Sequence, residues 1–200
     1  MPKVSKKPKE SDPTGEARAF KDQSAWAEWL EKNHRGSPGV WIRLGKKGSG
    51  IKSITSPEAL EVALCYGWID AQMRPENEET WLQRFMPRAT RSLWSKRNRE
   101  KALALIESGK MRPAGLEEIE RAKADGRWDE AYDSPKNATV PGDLEDALRK
   151  NPRAKAFFKT LNAANRYAIL WRLQTAKKPD TRQRRIGTIV AMLEKGGTFH

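Results

Sequence analysis

Apolar positions along the chain follow two periods, and the change between them divides it. From Phe20, the residues Trp26, Trp29 and Leu30 recur at helical spacing. Asp22 or Ser24 can cap that helix, and Gly36-Ser-Pro-Gly39 ends it. Val40-Trp-Ile-Arg-Leu44 predicts a strand, closed by the turn-forming Gly45-Lys-Lys-Gly-Ser-Gly50. Ser56-Pro57 opens a second helix, with Ser as its cap and Pro in the first turn. Its residues Ala59, Leu60, Val62, Ala63, Leu64 and Cys65 are apolar nearly all round, which marks a buried helix; Gly67 stops it. Trp68–Arg74 and Glu79–Met86 flank Pro75-Glu-Asn-Glu78 and predict a β-hairpin. After Pro87 the pattern is helical to the end. Starts are expected near Ser95, Pro113, Pro141, Pro152, Ala164 and Asp180, with Gly109, Gly126 and Gly196 at three of the ends.

The expected fold is therefore α+β and mostly helical. A small antiparallel sheet lies in the first half with helices packed around it, and the C-terminal part is all-helical. Residues 1–18, rich in Lys, Pro, Ser and Gly, lack the apolar surface to fold and read as a disordered basic tail. Residues 19–134 form the α+β region, with the hairpin near 68–86. Residues 138–197 form a helical module packed as one unit with the rest.

Composition narrows the chemistry. A single cysteine, Cys65, excludes an internal disulfide, and with only two histidines there are too few ligands for a Cys/His zinc site. No cofactor or metal is expected. No apolar run approaches the ~20 residues of a membrane span. The basic N-terminus is not followed by an apolar segment, so no secretory signal is expected and the protein reads as cytoplasmic. Gly39-Val-Trp-Ile-Arg-Leu-Gly45-Lys-Lys47 has the wrong spacing for a phosphate loop and lacks its metal-holding hydroxyl. Asp125, Asp129, Glu130 and Asp133 do not fit a calcium loop and read as a solvated turn. Cys65 in its apolar helix reads as packing. The eight tryptophans fall about one per element, as core anchors would. Trp94 stands apart because its neighbours are basic.

Charge is the main signal. The chain has 39 Lys and Arg against 26 Asp and Glu, a formal +13. Arg84 to Lys101 holds seven cations against Glu100, and Arg172 to Arg185 holds six against Asp180. Helix N-termini favour acids by ~0.3–1 kcal/mol each. Two predicted helices run against that rule: one capped by Ser95 begins Lys96-Arg97, and one capped by Asp180 carries Arg182, Arg184 and Arg185. The short helix from Pro152 shares the anomaly more weakly, with Arg153 and Lys155. Internal carboxylates such as Asp70, Glu78 or Glu79 would compensate. So would a bound anion, held by free backbone N–H groups, serine hydroxyls and arginine forks.

Several strings occur together and in order: Ala63-Leu-Cys-Tyr-Gly-Trp-Ile-Asp70, Phe85-Met-Pro-Arg88, Ser92-Leu-Trp-Ser-Lys-Arg-Asn98, Gly109-Lys-Met-Arg-Pro-Ala-Gly115, Ala122-Lys-Ala-Asp-Gly-Arg-Trp128 and Thr181-Arg-x-x-Arg-Arg-Ile186. Over about residues 19–198 the chain resembles the bacterial YdeI/OmpD-associated, or bacteriocin-protection, family. The resemblance implies a link to antimicrobial-peptide resistance and to association with an outer-membrane porin. It carries over no catalytic residue.

The leading functional expectation is a stress or bacteriocin-protection type protein whose basic face binds a small anion or an acidic protein partner. Asp70, Arg84, Arg88, Ser92, Trp94, Ser95, Lys96, Asn98, Arg182 and Arg185 would line the site. A nonspecific nucleic-acid binder is the electrostatic alternative, though no reader motif is present. An enzyme acting on a phosphorylated or carboxylated metabolite would need Asp70 as its acid or base. Arginines beside it would lower its pKa and make it a weak base, which argues against catalysis.

Overall fold

The computed structural model describes residues 17–200. The expected tail over 1–18 lies outside the described residues except at its end, where Arg18 already belongs to a strand. Two compact units form. Of the described residues, the first takes those up to Ser92 and Lys101–Asp125; the second takes Leu93–Glu100 and Gly126–His200. Residues 93–100 and 126–134, read with the α+β region from the sequence, are thus in the second unit.

In the first unit, β1 (Arg18–Ala19), β2 (Val40–Gly45), β3 (Trp68–Pro75) and β4 (Thr80–Pro87) make one sheet in the order β1-β2-β4-β3. The hairpin is where the sequence put it. The sheet is mixed, because β1 pairs parallel to β2 while the other pairs are antiparallel. Val40 faces Phe85 across β2 and β4 and Leu44 faces Trp81, so one sheet face is largely apolar, with the buried Gln83 opposite Ile42 as a polar exception. Helices α1 (Gln23–Asn33) and α2 (Ser56–Cys65) supply the aromatic and aliphatic partners. Trp26 is fully buried, with Phe85 5.7 Å and Trp68 6.2 Å away between ring centroids. Such pairs add ~0.5–1.5 kcal/mol beyond their burial. The Trp26 indole donates to Ala59 O at 3.0 Å, so a buried polar atom is satisfied.

Asp22 caps α1 through Ala25 N, as expected. For α2 the cap is Thr55 rather than Ser56: Thr55 Oγ1 accepts from Glu58 N, and Glu58 reaches back to Thr55 N. Reciprocal bonding of that kind satisfies two orphan donors at once, which Ser56 cannot match without a partner three residues on. Helix α4 (Pro113–Ala124) crosses α2 closely at Gly115.

The second unit holds the start of α3 (Lys96–Glu107) and four further helices: α5 (Gly142–Arg149), α6 (Pro152–Thr160), α7 (Ala163–Gln174) and α8 (Pro179–Glu194). All the helices after the hairpin begin within one residue of the positions read from the sequence. Leu144, Leu148, Phe158, Ile169, Leu173, Ile186, Ile189 and Leu193 form their common core. Asp180 is not the cap of α8. Lys178 occupies that position with no side-chain bond, Pro179 follows, and Asp180 sits in the first turn.

Candidate functional site

The ten residues singled out by charge and motif fall into both units. Asp70, Arg84, Arg88 and Ser92 are in the first. Asp70 lies opposite Phe85, so by strand alternation it shares that face while Arg84 takes the other. The buried Gln83 donates to Asp70 at 3.4 Å, and Arg84 donates to Gln72 at 3.5 Å. Arg88 is buried, and its backbone N–H donates to Gly67 O. Ser92 closes a turn onto Ala89 O.

Trp94, Ser95, Lys96, Asn98, Arg182 and Arg185 are in the second unit. Trp94 is 2% exposed and meets Trp128 edge-on at 4.9 Å, so its ring belongs to the core. Ser95 caps α3 by accepting from Asn98 N at 3.1 Å. Lys96 is ion-paired with Asp133 at 2.8 Å.

The basic start of α8 has a local explanation. Arg182 donates two bonds to Asp143, at 2.5 and 2.9 Å, and a third to Leu173 O at 2.7 Å. Arg185 donates to Arg172 O and, at 3.3 Å, to Thr175 Oγ1. Leu173 and Arg172 lie in the last turn of α7, where unpaired carbonyls carry partial negative charge and favour cations. The arginines that look misplaced at one helix start therefore cap the end of the preceding helix. Asp143 supplies the remaining counter-charge, and its carboxyl is held below the usual range by the Arg182 hydrogen bonds. The carboxylates nominated from sequence, Asp70, Glu78 and Glu79, belong to the other unit.

Besides a concavity of about 390 Å³ that carries Lys96, Asp129, Glu130 and Asp133, two others on this unit border α7. The first, of about 520 Å³, lies along α7 and α8 and is lined by Leu93, Trp171, Arg172, Thr175, Arg184, Arg185, Thr188, Ile189 and Phe199. Three guanidiniums converge there, and its lining contains no carboxylate. Arg172 packs 3.7 Å over the Phe199 ring and donates to Ala168 O at 2.9 Å, which fixes its position. Arg184 makes no side-chain hydrogen bond or ion pair with any described residue. The second concavity, of about 630 Å³, shares Trp171 and Arg172 with the first and is mostly apolar. Only Arg185 of these residues was nominated from sequence. The Trp171-Arg172 pair carries the same aromatic-beside-basic signal that singled out Trp94.

The family model for a domain of unknown function (DUF8412) matches residues 18–118, just over half of the 200-residue chain. The chain belongs to the DUF8412 family. Residues 137–196 match a second family model, described as Bacteriocin-protection, YdeI or OmpD-Associated. The resemblance read from sequence is thus shown in the C-terminal part, and the concavity residues of α7 and α8 all lie inside that match. No curated protein and no solved structure matches this DUF8412 member. Among its described residues, no helix is long and apolar enough to cross a membrane.

Proposed function

We propose that this DUF8412 member is a bacteriocin-protection type protein whose helical unit binds an anion in the groove along α7 and α8. One observation carries the reading: Arg172, Arg184 and Arg185 line a single concavity whose described lining includes no carboxylate. A guanidinium offers five N–H donors in a planar fork suited to phosphate or carboxylate. Arg172 and Arg185 each use one terminal nitrogen on the protein, so the rest of their forks can face a ligand. Arg184 has its whole fork available. The apolar walls, Ile189, Leu93 and Phe199, lower the local dielectric and strengthen each contact.

Calorimetric titration with inorganic pyrophosphate tests this. Arg184→Glu is the informative variant, because Arg184 is exposed and its side chain makes no hydrogen bond or ion pair with a described residue. Each charge-assisted bond is worth about 1.5–3 kcal/mol, so R184E should weaken binding at least tenfold with an unchanged circular dichroism spectrum. If the wild type does not bind pyrophosphate, or R184E binds it equally well, the groove is not the anion site. A nucleic-acid partner remains the second reading and is supported by net charge alone.

A further inference from the structure

We infer that the anion carries a flat aromatic ring, as a nucleoside phosphate does, and that the ring enters the second concavity. This rests on the anion reading above and adds to it the identity of the uncharged part. The two concavities are neighbours that share Trp171 and Arg172 in their linings. An acid group on the arginines and a ring in the neighbouring recess would therefore be one short linker apart.

The recess has the make-up a ring needs. Tyr132, Tyr167 and Trp171 line it, and Ala163, Ala164 and Ala168, whose side chains are one carbon long, leave room between them. The aromatic groups are fixed before any ligand arrives. Tyr167 donates its hydroxyl to Asp133 O at 2.8 Å, and Tyr132 sits edge-on to Trp171 at 6.2 Å and 86°. Burial pushes the Tyr167 phenol pKa up, so it stays protonated and keeps that bond. A site for an acyl chain would be walled by branched aliphatic residues. Here three of the lining residues are tyrosine or tryptophan and none is a branched aliphatic, and such rings favour stacking or edge contact with another ring. Rings beside arginines are the chemistry by which proteins hold bases without reading their sequence. Each volume, about 520 and 630 Å³, falls singly in the range of small-molecule pockets, so the pair has room for a nucleotide-sized molecule.

The test compares ADP, inorganic pyrophosphate and adenosine by calorimetry on the full chain. A stacked base typically strengthens binding by about fivefold to a hundredfold. ADP should therefore bind at least about fivefold tighter than pyrophosphate, and adenosine weakly. Ala164→Leu fills the recess at an exposed position. It should reduce ADP to the affinity of pyrophosphate and leave pyrophosphate itself unchanged. A short oligothymidylate distinguishes the source. Binding tighter than ADP, and equally sensitive to A164L, supports the class and names a single strand as its origin; binding no tighter supports a free nucleotide. If ADP and pyrophosphate bind wild type equally, the ring inference fails while the anion site stands. If A164L weakens both ligands alike, the ring is not in this recess. If pyrophosphate itself does not bind, both readings fall together.

Discussion

Glu76 shows how much a single carboxylate can hold. It accepts from Arg43 at 2.7 and 2.6 Å and from the Thr80 hydroxyl at 2.7 Å, pinning the hairpin turn to β2. Those bonds, the Arg43 pair foremost, bring its pKa from 4.5 down to about 2. A carboxyl whose folded pKa is depressed contributes stability above its unfolded value and loses it as pH falls through the folded one. Arg43 is 40% exposed, so solvent screening limits the pair to on the order of 1 kcal/mol. Glu76→Gln should accordingly melt a few degrees below wild type at pH 7. The gap should close as pH falls from about 4.5 to 2; thermal melts across that range would show a constant gap if the ion pair were idle. Single residues were also where sequence reasoning was most exposed to error. Trp94 and Trp171 both have basic neighbours, yet Trp128 covers the first while the second borders two concavities. Which ring a distant tryptophan buries is not written next to it in the chain.

Elements were far more legible, because their signals are local. Proline at the first helical position and a hydroxyl or carboxylate at the cap act within four residues, and the helix starts follow them. The two-residue strand β1 has no periodicity to read, so its parallel pairing with β2 went unseen. The contact of α4 with α2 was equally silent, although a glycine inside a helix hints at close approach. A Cβ at Gly115 would lie 2.5 Å from Cys65 O and 2.7 Å from Leu64 O, and would also collide with Met111 Sδ. Alanine is the better helix former by up to about 1 kcal/mol, and overpacking costs about 1–3 kcal/mol. Backbone atoms cannot move aside cheaply, so the clash should win. Gly115→Ala should lower the urea midpoint, and a midpoint raised by the propensity gain would mean the helices separate easily. The same crossing buries the Cys65 thiol, whose pKa rises to about 11, chiefly through burial.

At the scale of the whole molecule, the +13 charge was legible from composition, but its arrangement was not. Whether a cation meets water, a carboxylate or a helix end depends on residues thirty or more positions away, as Lys96 with Asp133 and Arg182 with Asp143 illustrate. Salt separates the two binding readings. Duplex DNA held through six to ten phosphates would lose about 10³–10⁵ in affinity between 50 and 200 mM salt. Pyrophosphate at three arginines should lose far less, and a gel-shift series that finds no DNA complex even at 50 mM would leave the groove as the better account. The clasp formed by Arg182 has a further consequence. That guanidinium ties the first turn of α5 to the last turn of α7 from the start of α8, so it acts as a keystone for three segments. Removing its charge would disorganise the scaffold on which any neighbouring ligand rests. An interaction lost by that route would mimic a broken contact, whereas Arg184, whose side chain bonds to no described residue, reports on the ligand directly.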